Sequence, residues 1–301
     1  MSVRSLAPNS LWNHFADLNA VPRPSKKEER VIEFMMNFGK ELGLETTKDS
    51  IGNVIIKKPG SLGMEDKKTV ILQSHLDMVH QKNGDTTFDF DRQGISMRVN
   101  GDWVDADGTT LGADNGIGVA TIMATLSSKD IVHPPLEALF TIDEETGMTG
   151  AKEMDGSLFS GEILLNLDTE DDDELSIGCA GGIDTNTSYT CQSIATPDNY
   201  SFIQINIKGL LGGHSGMDID SGRGNANKWM ARILWNISKK SNLLIGSLDG
   251  GGLRNAIPRE AKSIIAVPSA ELKNVQTELE EQAKVLHGEY KSIEPNIQIT
   301  F

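Results

Sequence analysis

The sequence predicts a mixed α/β protein, in which a mostly parallel sheet flanked by helices precedes a smaller α+β domain. Three observations support this fold class. The chain has 301 residues, about twice the roughly 150 residues of an average domain. Short apolar segments alternate with helical segments up to about residue 182, and strands with one apolar face dominate afterwards. We therefore predict two domains, residues 1–182 and 183–301.

The first predicted domain combines helices with strands that are apolar on both faces. Helical periodicity predicts one helix over residues 11–18 and another ending at Gly43, with Ser25 and Glu28 as its capping box. The predicted strands are 53–56, 69–73, 136–142 and 163–167, and the apolar segment 116–126 is a predicted helix. Strands that are apolar on both faces are typical of a parallel sheet covered by helices.

The second predicted domain has the element order β-α-β-β-α-β. Alternation of Ile203, Ile205 and Ile207 predicts a strand with one buried face, and Ser269 is the predicted cap of the last helix. The predicted strands are 202–208, 243–248, 261–267 and 296–301, and the predicted helices are 225–237 and 269–290. This order is that of a ferredoxin-like α+β domain.

Composition argues against several classes of protein. The formal net charge of −15 opposes binding to nucleic acid or to an anionic membrane, because both need a basic surface. No apolar stretch approaches the ~18 residues of a transmembrane helix, and the first residues lack a signal-peptide core. The two cysteines cannot form a disulfide framework. We predict a cytoplasmic protein that binds neither nucleic acid nor membrane.

Potential metal ligands follow three predicted strands of the first domain, and one more precedes a predicted helix. The set comprises His75, Asp77, Asp114, Glu144, Glu145 and Asp168. In an open α/β sheet, ligands bind at the carboxyl ends of the strands, so these residues are expected at one edge. One imidazole among several carboxylates suits a pair of divalent ions of the zinc, manganese or cobalt type.

Each of these residues has an expected place in such a centre. The glycine-flanked Asp114 is best placed to bridge two ions. One of the adjacent Glu144 and Glu145 can face a metal while the other faces a substrate. Asp77, two residues after His75, can hydrogen-bond the second ring nitrogen of that histidine.

Four motifs resemble a known family. They are Ser-His-Leu-Asp-Met-Val (74–79), Gly-Ala-Asp-Asn-Gly-Ile-Gly (112–118), Asp-Glu-Glu-Thr-Gly (143–147) and Asn-Leu-Asp (166–168). They are similar to those of the dinuclear zinc aminopeptidase and carboxypeptidase family, most closely its bacterial aminoacyl-histidine dipeptidase branch. The resemblance implies a ferredoxin-like lid domain inserted in a metallopeptidase catalytic domain, two metal ions and a homodimer.

The resemblance also implies a role for each residue. His75 and Asp168 would hold one metal, Asp114 would bridge, Glu145 would hold the other metal, Glu144 would be the catalytic base and Asp77 would orient His75. Gly-Gly-His-Ser-Gly (212–216) resembles the lid motif whose histidine, here His214, contacts the substrate carbonyl. Gly-Gly-Leu-Arg-Asn-Ala-Ile-Pro (251–258) resembles the motif whose asparagine, here Asn255, reaches the substrate. Relatives have a cis peptide after the bridging aspartate, so we expect one between Asp114 and Asn115.

The sequence departs from the family pattern in one respect. The second metal of the family takes a further histidine from a later part of the catalytic domain, and no such motif occurs in this sequence. His80 is a candidate stand-in, although a loop histidine is more often solvated or hydrogen-bonded. The chain stops within a predicted strand at Phe301 and contains about half of the lid, so we expect a C-terminally truncated chain.

The resemblance implies metal-dependent hydrolysis of dipeptides, of the aminoacyl-histidine (Xaa-His) type. A hydroxide held between the metals would attack the peptide carbonyl, with Glu144 as general base. Two alternatives stay open. The same centre could remove the acyl group from N-acyl-amino acids, or the chain could be a non-catalytic fragment that lacks the last histidine ligand.

Overall fold

The chain divides into two compact units, Met1–Cys179 and Ala180–Phe301. The computed structural model describes residues 2–169, 173–179, 181, 183 and 185–301. The predicted domain boundary at residue 182 lies outside the described residues. Each unit has a hydrophobic core of its own.

The first unit contains every helix and strand predicted for it. Its helices are α1 (Asn9–Asn19), α2 (Glu29–Glu41), α3 (Ala113–Ser127) and the short α4 (Thr149–Lys152). Its strands are β1 (Glu45–Lys48), β2 (Val54–Lys58), β3 (Val70–His75), β4 (Met97–Asn100), β5 (Trp103–Ala106), β6 (Leu136–Thr141) and β7 (Ile163–Asn166). The sequence patterns did not predict α4, β1 or the separate hairpin of β4 and β5.

Five strands of the first unit form one sheet, in the order β1-β2-β6-β3-β7. β3 pairs in parallel with β6 and β7, whereas β2 is antiparallel to β1 and β6. Four of the five strands therefore run in the same direction, which confirms the mostly parallel sheet. β2 runs the other way because the connection from β1 is too short for a parallel crossover.

Helices α1, α2 and α3 bury their apolar sides against this sheet. Residues such as Leu18, Met35 and Ile122 share one buried cluster with Val54 and Phe140 of the strands. With the sheet held in this way, the C-terminal ends of β3, β6 and β7 lie at one edge. The segments that follow these three strands are therefore brought together.

The predicted capping box at the start of α2 is wrong. Glu28 occupies the N-cap position and makes no side-chain cap bond. Instead, Ser25 Oγ donates to Asp77 Oδ2 at 2.7 Å. Glu28 Oε1 accepts hydrogen bonds from the main-chain N–H groups of Lys26 and Asp143. Both side chains are buried and take partners from other segments, because a buried polar group needs a hydrogen bond wherever one is available.

The second unit has the predicted ferredoxin-like order. Its elements are β8 (Tyr200–Lys208), α5 (Ala226–Ser238), β9 (Leu244–Gly250), β10 (Ala261–Pro268), α6 (Leu272–Tyr290) and β11 (Gln298–Thr300). The antiparallel sheet has the order β11-β8-β10-β9, and Ile203, Ile205 and Ile207 of β8 are buried. The predicted cap of α6 is wrong, because Ser269 bonds Ser201 Oγ and begins a 3-10 turn.

Length and polarity decide whether a helix can cross a membrane. The 19-residue α6 carries charged side chains such as Lys273 and Glu280. No helix in the described part of the chain is both long and apolar enough to cross a membrane.

Candidate metal centre

The candidate ligands meet at the C-terminal edge of strands β3, β6 and β7. His75 is the last residue of β3 and is fully buried. Glu144 and Glu145 follow β6, and Asp168 follows β7. Because these three strands run in parallel, their ends bring together side chains that are far apart in the sequence.

Asp77 joins the segment after β3 to the segment after β6. His75 Nδ1 lies 3.2 Å from Asp77 Oδ1, and Ser25 Oγ donates to Asp77 Oδ2 at 2.7 Å. The N–H groups of Glu144 and Glu145 donate to the same carboxylate at 3.0 and 3.2 Å. Burial alone would raise the pKa of Asp77, but the hydrogen bonds from His75, Ser25 and Glu144 hold it below its usual value. Asp77 therefore stays ionised and anchors both segments.

The contact with Asp77 also sets the orientation of the His75 ring. With Nδ1 towards Asp77, Nε2 lies 3.0 Å from Asp114 Oδ1 and 3.8 Å from Asp168 Oδ2. Burial lowers the pKa of His75, but hydrogen bonds to Asp114 and Asp77 outweigh it and raise that pKa to about 10. The Nε2 atom thus faces two of the carboxylates with which it was expected to share a metal.

Asp114 lies in the first turn of α3, where the helix is irregular. Asp114 and Asn115 have non-helical torsions, and the peptide bond between them is cis, as expected from the resemblance. Asn115 Nδ2 donates to Leu167 O at 2.9 Å and to Asp168 Oδ1 at 3.1 Å. Asn115 therefore ties the start of α3 to the end of β7, while the side chain of Asp114 is 54% exposed.

Asp143 holds the turn that carries the two glutamates. Its buried carboxylate accepts hydrogen bonds from the hydroxyls of Thr146 and Thr149 and from Lys26 Nζ. Asp143 has a φ of 53°, in the left-handed region that few residues other than glycine adopt. These three donors stabilise that conformation, so Glu144 follows from a fixed turn.

The carboxylates of the centre repel one another. Burial, reinforced by the charge of Asp114, raises the pKa of Glu145 to about 7. Burial and the same charge also raise the pKa of Asp168. Such shifts indicate that the carboxyl groups resist ionising together. A divalent cation relieves this repulsion, and several carboxylates with one imidazole are a donor set that zinc, manganese and cobalt accept. The residues therefore fit a metal.

Two overlapping sets of side chains could hold an ion. One set is His75, Asp114 and Asp168, and the other is His75, Glu144 and Glu145. Within each set the donor atoms lie within 4.8 Å of one another. The structure thus brings the predicted ligands of the first unit together. His80 belongs to neither set among the residues that the structure describes, and its ring packs against Phe90 with centroids 5.9 Å apart.

His214 and Asn255 lie side by side in the second unit. Ser215 N–H donates to Asn255 O at 2.8 Å, which joins the two motif loops. His214 Nδ1 accepts hydrogen bonds from the N–H groups of Gly216 and Met217, both at 3.2 Å. Because Nδ1 is an acceptor, a neutral His214 carries its proton on Nε2. The exposed ring therefore offers a hydrogen-bond donor.

Buried Glu294 closes the base of the His214 loop. Its two carboxylate oxygens accept from Gly224 N–H at 2.7 Å and from Leu211 N–H at 2.8 Å. Within the loop, Asp218 accepts from His214 N–H at 2.8 Å and pairs with Arg223 at 2.8 Å. Hydrogen bonds within the loop and at its two ends therefore hold it in place. The sequence of the motif does not indicate that Glu294 contributes.

Several residues that support the metal centre were not predicted as site residues from the sequence. They are Arg23, Ser25, Asn115 and Asp143. Asn115 and Asp143 adjoin predicted ligands, so proximity in the motif was a usable signal. Ser25 matched a helix cap, and Arg23 stands in a proline-flanked loop with no motif of its own.

Comparison with known proteins shows what the chain resembles. A family model described as a peptidase dimerisation domain (M20_dimer) matches residues 205–294. Over 294 residues the chain is 42% identical to the cytosol non-specific dipeptidase of Escherichia coli K12, an alignment that covers 98% of this chain and 61% of that protein. The second unit thus matches an M20 peptidase dimerisation domain, and the chain as a whole is similar to a dipeptidase. The resemblance inferred from the motifs is thereby confirmed.

Two further proteins are similar to the chain over most of its length. The chain superposes on the aminoacylhistidine dipeptidase of Vibrio alginolyticus with a TM-score of 0.60 and 43% identity, covering 100% of this chain and 61% of that one. It is 24% identical to the uncharacterized protein YqjE of Bacillus subtilis 168, covering 92% of this chain and 73% of that protein. The chain thus spans 61% of the length of each of the two dipeptidases.

Proposed function

We propose that this chain carries the metal centre of an M20-type dipeptidase that hydrolyses aminoacyl-histidine (Xaa-His) dipeptides. The observation that carries the proposal is the meeting of His75, Asp114, Glu145 and Asp168 beside Glu144 at one sheet edge. Two relatives at 42% and 43% identity are named as dipeptidases, one of them for aminoacyl-histidine substrates.

The proposed cofactors are two divalent metal ions, zinc in the first instance, with cobalt or manganese as alternatives. His75 and Asp168 would hold one ion, Glu145 would hold the other, and Asp114 would bridge them. When bound, two such ions acidify a water molecule and polarise the peptide carbonyl.

Glu144 is the proposed general base. It is half-buried, and its main-chain N–H is held by Asp77 at 3.0 Å. It would take a proton from the attacking water and pass it to the leaving amine nitrogen. Asp77 would assist by fixing both the Glu144 turn and the ring of His75.

His214 and Asn255 are the proposed substrate-binding residues of the second unit. The Nε2–H group of His214 suits a carbonyl oxygen that gains negative charge during the reaction. Its ring is already oriented by the N–H groups of Gly216 and Met217. The adjacent Asn255 offers an amide for a second polar contact.

The variant His214→Ala is expected to lower kcat on the order of 10²-fold, because it removes one donor to the developing oxyanion. Its metal content should not change, since His214 is no proposed ligand. Steady-state kinetics with metal analysis would check both. A variant with wild-type kcat would contradict the role, and Lys228→Ala, an exposed substitution on α5, is a control.

The remaining parts of the proposal concern the domains, the oligomeric state and the cellular location. We propose residues 1–182 as the first part of the catalytic domain and 183–301 as the first half of a lid and dimerisation domain. The match of residues 205–294 to a peptidase dimerisation domain supports a homodimer. A cytoplasmic location is consistent with the word cytosol in the name of the Escherichia coli relative.

A substrate panel tests the proposed function. The intact protein would be incubated with Xaa-His dipeptides, other dipeptides and matching N-acetyl-amino acids, each with and without a chelator. We expect chelator-sensitive release of histidine from Xaa-His. Preferred cleavage of the N-acetyl compounds would replace the proposal with a deacylase. Absence of any metal-dependent amide cleavage would support a non-catalytic fragment.

A further inference from the structure

Arg23 is a buried cation behind the metal centre. It stands between Pro22 and Pro24 in the loop from α1 to α2, and only 1% of it is exposed. Its Nη1 donates to Leu76 O at 3.1 Å and to Asp77 O at 3.2 Å. Its Nη2 donates to Gly112 O at 2.6 Å and to Asn19 Oδ1 at 2.9 Å.

These hydrogen bonds connect the two segments that carry metal ligands. The carbonyls of Leu76 and Asp77 directly follow His75, and the carbonyl of Gly112 lies two residues before Asp114. One planar guanidinium therefore holds both main chains at a set separation, which its rigid fork of donors allows and an ammonium group does not.

Two glycines of the Asp114 motif make room for this guanidinium. A Cβ atom on Gly112 would lie 2.6 Å from Arg23 Nη2, and a Cβ on Gly116 would lie 2.7 Å from the same atom. Contacts under 3 Å require something to move. The lack of a side chain at both glycines therefore leaves space for the Arg23 guanidinium. Gly112 also lies in the turn before Asp114, where its φ is +72°.

The charge of Arg23 is kept despite its burial. Burial lowers the pKa of Arg23 to about 10, and the charges of Asp77, Asp114 and Glu145 oppose that change. A buried cation is stable only with hydrogen bonds and nearby countercharge, and Arg23 has both. Its four hydrogen bonds go to peptide and amide oxygens, so it acts on the ligands through their main chain.

We propose that Arg23 is a positioning residue that presets the metal centre, by holding the His75 segment and the Asp114 loop at the separation that metal binding requires. This inference rests on the proposed function, because it assumes that these residues bind metal. It adds a buried residue that acts on the candidate ligands through their main chain. Without the hydrogen bonds of the Arg23 guanidinium, metal binding itself would have to bring the two segments to this separation.

The test is the affinity of the metal-free, intact protein for Zn²⁺, measured by calorimetric titration in competition with a chelator. Arg23→Lys is expected to weaken Zn²⁺ binding by about 10- to 100-fold, the usual effect of losing a group that orients ligands. The control is Glu137→Gln, which alters a buried carboxylate at the start of β6, where Ser160 and Gly161 donate to it. The control should lower the thermal midpoint without weakening Zn²⁺ binding.

A second variant covers the case in which Arg23→Lys does not fold. Gly116→Ala changes neither Arg23 nor any ligand residue and improves helix propensity, but its methyl group would lie 2.7 Å from Arg23 Nη2 and 2.9 Å from Phe15 Cε2, so the guanidinium would have to shift. We again expect weaker Zn²⁺ binding. Wild-type affinity in these variants, or equal weakening in Glu137→Gln, would overturn the role of Arg23 alone. A wild-type protein that binds no Zn²⁺ would overturn the proposed function as well.

Discussion

The variant Glu144→Gln is expected to lose up to about 10⁴-fold in turnover while keeping its fold and its bound metal. Glutamine has nearly the same shape as glutamate, but its amide cannot accept the proton of the attacking water. The main-chain N–H of residue 144 would still reach Asp77, so the turn should keep its position.

The expected result separates Glu144 from its neighbour Glu145. Both belong to the set of donors around His75, so proximity alone does not assign their roles. Glu145 is the more buried, and its pKa of about 7 resembles that of a general base. That value arises from burial and the charge of Asp114, which a bound cation would offset. The pKa of Glu145 therefore does not contradict the roles that the family resemblance implies, and we keep the proposal that Glu145 binds the metal and Glu144 transfers the proton.

The measurement compares Glu144→Gln with Glu145→Gln as a matched pair. Both variants would be assayed for turnover of an Xaa-His dipeptide and for metal content by elemental analysis after dialysis. Glu145→Gln should lose activity together with metal. Loss of metal in Glu144→Gln, with metal retained in Glu145→Gln, would show that the two roles are exchanged.

Local patterns were enough to locate the strands and the ligands that follow them. His75, Glu144 and Asp168 each follow an apolar segment, and parallel pairing of β3 with β6 and β7 places all three ends together. The antiparallel direction of β2 follows from its short connection to β1, and apolar periodicity does not indicate strand direction. The hairpin of β4 and β5 is partly exposed, so it lacks the apolar signal on which strand prediction depends.

The supporting residues were harder to predict because their partners are distant in sequence. Arg23 bonds Leu76 and Gly112, and Glu294 bonds Leu211 and Gly224. A charged side chain in a loop is more often solvated than buried, so its type alone does not reveal such a role. Ser25 illustrates the opposite error. Its sequence context fits a helix cap, but its hydroxyl donates to Asp77, which is distant in the sequence. Ligands have typical residue types and spacings, whereas the groups that position them do not.

The variant Asp114→Asn is expected to lose both metals and, with them, all measurable turnover. Asp114 lies 3.0 Å from His75 Nε2, and its charge acts on both Glu145 and Asp168. Its charge therefore reaches a carboxylate in each of the two sets of candidate ligands, which supports the proposal that it bridges the two ions. A neutral amide has one good donor oxygen and no charge, so it cannot bridge two dications as a carboxylate does.

Two further variants make this result specific. Asp168→Asn removes a proposed ligand of one ion only, so it should retain more metal than Asp114→Asn. Asp107→Asn removes the same charge from a side chain that is 76% exposed, where it pairs with Arg98 at 3.3 Å, and should retain both ions. Metal-to-protein ratios would be measured after equilibration with Zn²⁺ and removal of free ion. Two ions bound to Asp114→Asn, with fewer bound to Asp168→Asn, would contradict this role. Binding of both ions would then not need a carboxylate at position 114, and the bridge would have to be assigned to another carboxylate.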